Sequence, residues 1–501
     1  MEFQKRDHDC VIVWFRQDLR LSDNPALVHA AGHGRTVLPL FLLDEDDPWT
    51  PGAASRWWLH ESLTALDDAL HHRGSGLVLR RGSANRILPE LVRAVGATAI
   101  VWNRVFEPWA AARDRIIESD MEDHGVAVKT FNASLLAEPG SLVNKAGDPF
   151  RVFSPFWKAL SNKVETTRFD QVDPLPAPPT LPPTPRSPDG DALTTWSLQP
   201  SRPDWAGGLR SVWLPHHDHG NDDETGAPGE AGAALRLDRF LDDTARRYKT
   251  DRDHPGLDAT SRLSAHLHWG EISPRQVWAR TEAAMTADPA IESGGRAFLR
   301  ELGWREFSCH LLHHFPHITS ANFNPQFDRF AWRDDDDALT RWQRGETGYP
   351  IVDAGMRELW ETGVIHNRVR MVTASFLVKH LLVPWQAGAA WFWDTLVDAD
   401  LANNSASWQW VAGSGADATP YFRIFNPVLQ GEKFDADGAY VRRFVPELWR
   451  MPDKYIHRPW AAPANVLDYA GVQLDRTYPR PMVDHKAARD RALIAFKQIR
   501  K

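Results

Sequence analysis

The stretch 11-VIVWFRQDLRLSDNP-25 decides how the N-terminal part of the chain folds. VIVWF is a continuous apolar run of β-branched and aromatic residues, the composition of a strand buried on both faces. The polar turn after it holds no G-x-G-x-x-G and no Walker-type loop, which excludes an ordinary dinucleotide fingerprint. Outward from it, VLPLFLL (37–43), LVLR (77–80), AIVW (99–102) and VAVKTF (126–131) repeat the strand signal. Helical patterns lie between them, such as 55-SRWWLHESLTALDDALHHRG-74, with Ser55 the expected cap and Gly74 the expected stop. Such alternation predicts an α/β, doubly wound parallel sheet.

Residues 173–204 contain ten prolines, and the acidic run 216-HHDHGNDDETGAPGE-230 follows. They read as a long irregular connector, extended where proline dominates, with the HHDH of 216–219 binding nothing specific. Beyond it the apolar period becomes helical, and Ser273-Pro274 marks a helix start, a cap followed by proline at the first helical position. The expected organisation is an α/β domain over 8–131, a connector over 132–230 and an all-α domain over 231–501.

Composition narrows the class. A chain of 501 residues exceeds one ordinary core, so two domains are expected. The net charge of −8 requires any nucleic-acid contact to use a local basic patch. Two cysteines far apart argue against a disulfide framework or an iron–sulfur cluster. The polar start MEFQKRDHDC has no secretory h-region, and the apolar runs are far shorter than a membrane span. A monomeric, soluble, cytoplasmic protein is expected. Tryptophan is over-used, 23 against 7 tyrosines, although tyrosine could supply most of the same burial.

Some clusters have bland readings. Cys309, His310, His313, His314 and His317 have metal-like spacing, but Pro316 breaks the helix and no carboxylate completes the set. GSGAD at 413–417 reads as a helix-to-helix turn, and Trp57–Trp58 as helix-to-sheet packing. The helical half is less easily dismissed. Asn367, Arg368 and Arg370 open an apolar helix, and Asp398, Asp400, Asn403 and Asn404 precede Trp408. Buried charges must be paired or serve a ligand. Either Arg370 and Asp398 pair internally, or a large polar and aromatic ligand lies in a helical cavity.

Six segments carry a resemblance along nearly the whole chain: 13-VWFRQDLRLSDNPAL-27, 260-TSRLSAHLHWGEISPRQVW-278, 301-ELGWREF-307, 347-TGYPIVDAGMR-357, 366-HNRVRMVTASFLVKHLL-382 and 398-DADLANNSASWQWVAGSGADATPYFRIFNP-427. In these the chain resembles the photolyase/cryptochrome family. The resemblance implies an α/β antenna domain and a helical domain holding FAD in a folded-over shape. Tyr248, Thr260, Ser261, Arg262, Leu263 and Ser264 match the FAD phosphate and ribitol contacts. Arg305, Asn367, Arg370, Asp398 and Asp400 match the shell around the isoalloxazine, and Asn404 the residue facing flavin N5. A neutral amide there suits reduced FADH⁻, whereas plant cryptochromes commonly carry Asp. Trp408, Trp385 and Trp332 match a chain of oxidisable indoles leading from flavin to surface.

The same resemblance implies repair of cyclobutane pyrimidine dimers in UV-damaged DNA. A flipped-out dimer receives an electron from excited FADH⁻ between walls formed by Trp304 and Trp410. Glu301 is expected to bond the dimer edge, with Met371 and Asn367 as further lesion contacts. Relatives that repair the (6-4) photoproduct use a His pair hereabouts, and Met371 stands where the second His is needed. Arg252, Arg368, Arg423 and Lys433 are the expected phosphate contacts. Against blue-light signalling, the chain ends some 70 residues after FRIFNP without a long polar tail. Glu107 lies near a folate-antenna contact, making methenyltetrahydrofolate the expected antenna and a deazaflavin the second choice.

Overall fold

Residues 8–167, 174–182, 188–214, 226–418 and 422–500 are described by a computed structural model. The HHDH run at 216–219 lies outside them. The chain divides into two compact units, one of residues 1–246 and 261–314, the other of 247–260 and 315–501.

In the first unit, strands β1 (His8–Phe15), β2 (Gly34–Asp44), β3 (Val78–Gly82), β4 (Ala99–Asn103) and β5 (Ala127–Phe131) form one parallel sheet in the order β3-β2-β1-β4-β5. Val11 pairs with Val37 on one side and with Ala99 on the other, so β1 is the strand at which the order reverses. Helices α1 (Pro25–His33), α2 (Ala53–His71), α3 (Ala84–Val95) and α4 (Pro108–Asp123) connect the strands. Ile12, Trp14, Leu38, Leu40, Ile100 and Trp102 share a buried cluster with Leu88, Leu91, Ile117 and Met121 of α3 and α4. Their alternate neighbours Val11, Val13 and Phe15 are buried too, which is why β1 reads as an unbroken apolar run.

Two local expectations need correction. Ser55 is not the cap of α2. The helix starts at Ala53 after extended Gly52, because Ala53 and Ala54 are strong helix formers, and Ser55 is buried inside it. Gly74 lies beyond the helix end, where its φ of +82° closes a turn with its N–H on the His71 carbonyl. Trp58, expected to pack on the sheet, meets Trp213 edge-on at 4.8 Å, and its Nε1 donates to Glu271 at 3.1 Å.

The described part of the proline-rich connector is anchored on the sheet unit. The backbone N–H of Leu175 donates to Asp23, that of Leu181 to the Arg73 carbonyl, and the Pro182 carbonyl accepts from Val37. Helices α5 (Phe153–Thr166), α6 (Gly207–Trp213), α7 (Glu230–Arg239), α8 (Ser264–His268), α9 (Pro274–Ala287) and α10 (Glu292–His314) belong to the same unit. The period changes near 231, yet the compact division falls elsewhere, because these helices carry side chains that close on the sheet loops. Arg20, fully buried, donates to the carbonyls of Gly270, Asp23 and Ala133 at 2.7–2.8 Å. Ser273 caps α9 in a reciprocal box with Gln276.

The second unit is helical. Its principal helices are α11 (Pro350–Thr362), α12 (Asn367–Ser375), α13 (Trp385–Thr395), α14 (Leu401–Ala412), α15 (Pro427–Phe434), α16 (Ala439–Phe444) and α17 (His485–Ile499). One large cluster binds α11 to α14 and α16, with Trp342, Phe376, Trp385, Phe392 and Trp408 at its centre. Among the described residues, no helix is long and apolar enough to cross a membrane.

Candidate functional site

Helix α12 begins on a polar bracket. Glu358 of α11 accepts from the backbone N–H of His366 at 3.1 Å and from the Tyr440 hydroxyl at 2.5 Å, and the His366 ring accepts from the Arg368 N–H at 3.2 Å. Burial holds that imidazole neutral, its pKa lowered to about 4. The bracket fixes the first turn, where Asn367 is exposed and Arg370 and Met371 are half-buried. Arg370 Nη2 lies 3.3 Å from both Asp398 oxygens. The Asp398 side chain is 6% exposed and the Arg370 side chain 29%, so the pair closes inward and opens on the arginine side. Arg370 Nε is buried and without a hydrogen-bond partner among the described residues, a donor that the protein itself leaves unused.

Asp400 caps α14 by accepting from the backbone and the side-chain N–H of Asn403, both at 2.7 Å. One turn on, Asn404 donates its amide to the Ala389 carbonyl of α13 at 3.0 Å, which fixes the side chain's orientation. Trp408 is buried, edge-on to Phe392 at 4.9 Å, and it needs Gly388: a Cβ there would stand 2.1 Å from the indole. Trp385 shares the cluster and donates to Asn322 at 3.0 Å, while half-buried Trp332 packs against the cluster and against Phe330 at 4.5 Å. Trp410 is half-buried under the Arg423 guanidinium at 4.8 Å, in a small cavity completed by Val411, Gly413, Ala418 and Phe425.

Sequence reasoning passed over two residues here. Gln409, between the two tryptophans, is buried. It accepts from Phe323 N–H and Ser414 Oγ and donates to the carbonyls of Ile318 and Ala321. Lys379 is buried against the Phe422 ring and donates to the Ala412 carbonyl. A lysine inside the apolar run 376-FLVKHLL-382 was the available signal.

Three of the four expected phosphate contacts lie together. Arg368 sits 4.5 Å over the Phe434 ring and pairs with Asp253 at 2.7 Å, and exposed Lys433 lies 4.9 Å from the same ring. The backbone of Arg252 reaches His366, and its guanidinium covers Tyr248 at 5.1 Å. Thr260 ends this stretch, half-buried.

In the first unit, Ser261 and Arg262 are half-buried, Arg262 in the left-handed region at φ +50°. Leu263 precedes the five-residue helix α8, which has no side-chain cap, and Ser264 is exposed. On α10, Glu301 is half-buried and Trp304 stacks flat on Phe153 at 3.6 Å. Arg305 donates to the backbone carbonyls of Ser134 and Leu267, at 2.6 and 3.4 Å. Next to it, Glu306 accepts from the N–H groups of Leu136 and Ala137, and burial raises its carboxyl to about 7 against the pull of Arg305. Further along the helix, His310 lies against Phe156 and Phe307 and is held neutral, near 4, mainly by burial. Glu107 ends the loop before α4, and its carboxylate lies 3.5 Å from Gln17 Nε2.

The sequence that builds the parallel sheet without a glycine-rich turn, and the helices with the open ion pair and buried indoles, matches two family models. Residues 11–180 match the model described as DNA photolyase, and residues 298–498 that described as FAD binding domain of DNA photolyase. The chain belongs to the photolyase/cryptochrome family. It is 49% identical to the deoxyribodipyrimidine photo-lyase of Agrobacterium fabrum, over 98% of each chain. It is 37% identical to Cryptochrome-2 of Arabidopsis thaliana, over 96% of this chain and 77% of that one. Among solved structures, a bacterial class III photolyase from Agrobacterium tumefaciens superposes with a TM-score of 0.91 at 48% identity, covering 98% of each chain.

Proposed function

We propose that the protein is a light-driven DNA repair enzyme of the deoxyribodipyrimidine photo-lyase type, acting on cyclobutane pyrimidine dimers. The carrying observation is the likeness, over 98% of both chains, to a protein of that name. Met371 supports the choice of lesion, because it leaves α12 without the second histidine expected for (6-4) repair.

The residues fit FAD on the helical side. The unused Arg370 Nε and the inward-closed Arg370–Asp398 pair present cationic N–H donors where an anionic ring is to be held. When bound, reduced FAD supplies an electron on excitation by light. Arg370, held in place by Asp398, would present its cationic N–H groups to the negative charge of the ring. Asp400 would accept a ring N–H, and Asn404, braced on Ala389, would present a neutral amide to the flavin. Tyr248, Thr260 and the segment Ser261–Ser264 serve the phosphates and ribitol. Trp408, Trp385 and Trp332 supply readily oxidised indoles running toward the surface. Trp304 and Trp410 wall the flipped-out dimer, Glu301 bonds its edge, and Met371 and Asn367 complete the contact. Arg252, Arg368, Lys433 and Arg423 meet DNA phosphates, so affinity falls with salt. Methenyltetrahydrofolate near Glu107 is the proposed antenna, a deazaflavin the alternative. The protein is proposed to act as a cytoplasmic monomer.

The likeness to a plant cryptochrome favours blue-light signalling as the second reading. The test is illumination of the reduced flavoprotein beside an oligonucleotide carrying one thymine cyclobutane dimer. Loss of the dimer in light but not in darkness establishes the enzyme. No repair with flavin bound and reduced sinks the dimer assignment and moves signalling and the (6-4) lesion forward.

A further inference from the structure

Lys379 stands where two separate pieces of the helical unit close on the cavity beside Trp410, and no step of the proposed reaction employs it. It falls in the π-helical turn Phe376–Leu381, a conformation found disproportionately at functional positions. The side chain is 1% exposed, and no carboxylate among the described residues accompanies its amine. Nζ instead donates to the Ala412 carbonyl at 2.5 Å and lies 3.1 Å from the centroid of the Phe422 ring.

Both partners matter for Trp410. Ala412 is the last residue of α14, two residues after Trp410. Phe422 precedes Arg423, whose guanidinium covers the Trp410 ring. One amine therefore braces the floor of the cavity and the segment that closes over it. Gly413, which lines the same cavity, is so near that a Cβ there would stand 3.3 Å from Nζ. On the other side of the helix end, Gln409 has both its acceptor sites and both its N–H groups engaged with Ile318, Ala321, Phe323 and Ser414. The last turn of α14 is clamped from two directions.

A buried ammonium without a counter-ion is unfavourable enough for the amine to give up its proton, and burial does push Lys379 far below the usual lysine range. A methionine of similar shape would fill the space without that cost, so packing alone does not account for a lysine. We propose that Lys379 is a positioning residue for substrate recognition: by tying the Ala412 carbonyl to the Phe422–Arg423 segment, it sets the angle at which Trp410 meets the dimer. This rests on the photolyase reading.

The test compares Lys379→Met, which keeps the bulk and loses the donor, with Lys379→Gln, which keeps an N–H. The expected result for Lys379→Met is unchanged flavin content and about tenfold weaker binding of the dimer oligonucleotide, a loss of about one hydrogen bond. Repair at saturating DNA stays within about threefold, and Lys379→Gln recovers most of the affinity. In parallel, protein labelled with 5-fluorotryptophan gives a fluorine resonance for Trp410, identified by its disappearance in Trp410→Phe. That resonance moves in Lys379→Met and returns in Lys379→Gln, while those of Trp385 and Trp332 stay. An unmoved Trp410 resonance, or equal loss of flavin and dimer binding, overturns the proposal. Where Lys379→Met does not fold, Phe422→Leu must shift the same resonance, and an unshifted one is equally fatal. If the unaltered protein does not bind the dimer, the photolyase reading falls, and the fluorine spectra still judge the positioning role.

Discussion

The segments 16–25 and 398–410 are both short, polar and set among apolar residues, yet they use their polar groups in opposite ways. In the first, the charged groups are tied back onto the protein, although Arg16 Nε and Arg20 Nε are buried without a hydrogen-bond partner among the described residues. Asp18 accepts from the N–H of Arg16 and from Asn103, Arg20 feeds three backbone carbonyls, and Asp23 accepts from Leu175 and Arg275. In the second, Asp398 holds one side of an arginine whose Nε is left over, and Asn404 is anchored by its amide on Ala389. The first is a lock and the second a holder. An unused donor occurs in both, so the difference is one of access: the Arg370 side chain is 29% exposed and that of Arg20 0%, and only the second stretch opens outward.

The largest effect should come from breaking the lock. Arg20→Met leaves three buried carbonyls without a donor and Asp23 without its neighbour, an expected loss of about 3–5 kcal/mol in a urea titration, with flavin lost in the same transition. Asp398→Ala should separate the two behaviours. The Arg370 head is partly exposed, so stability falls by only about 1–2 kcal/mol while the flavin absorbance of the purified protein collapses. Retention of flavin at the level of the unaltered protein would contradict the holder role. Glu301→Ala should leave flavin and fold intact and slow repair on the order of 100-fold at saturating dimer.

The smallest effects concern pH, and here the two units should slope oppositely. Glu306 in the sheet unit keeps its proton up to about 7, while an unfolded carboxyl loses it near 4.5. Its contribution is therefore fully present below 4.5 and is lost as pH rises toward 7. His366 in the helical unit is neutral down to about 4, against 6.5 when unfolded, so its contribution is lost as pH falls from 6.5 to 4. Urea midpoints of Glu306→Gln across this range should decline less toward neutrality than those of the unaltered protein. A parallel curve would remove Glu306 from the account.

Strands β1, β2 and β4 were legible because burial on both faces writes a continuous apolar run, whereas β3 and β5 are only partly buried and showed through their β-branched residues; the α9 cap was legible because Ser273 and Pro274 sit where a helix start requires them. The start of α2 was not legible, since two alanines extend a helix without any cap signal. The connector read as irregular, yet its anchoring depends on backbone groups meeting Asp23, Arg73 and Val37, and such pairings leave no side-chain pattern. Arg370 and Asp398 stood out as charges on apolar helices, and they do pair. Gln409 did not stand out, because a glutamine between tryptophans reads as a solvent-facing amide until its four partners are seen.

Gly388 deserves the last consideration, for it contributes by having nothing to contribute. Its missing methyl is the volume in which the Trp408 indole lies. Mutating the indole is the obvious way to interrupt the proposed relay, but Gly388→Ala would do so without touching an aromatic residue, by evicting the ring from its seat. An inventory of reactive side chains overlooks such a position, although the seat of the Trp408 indole is set there.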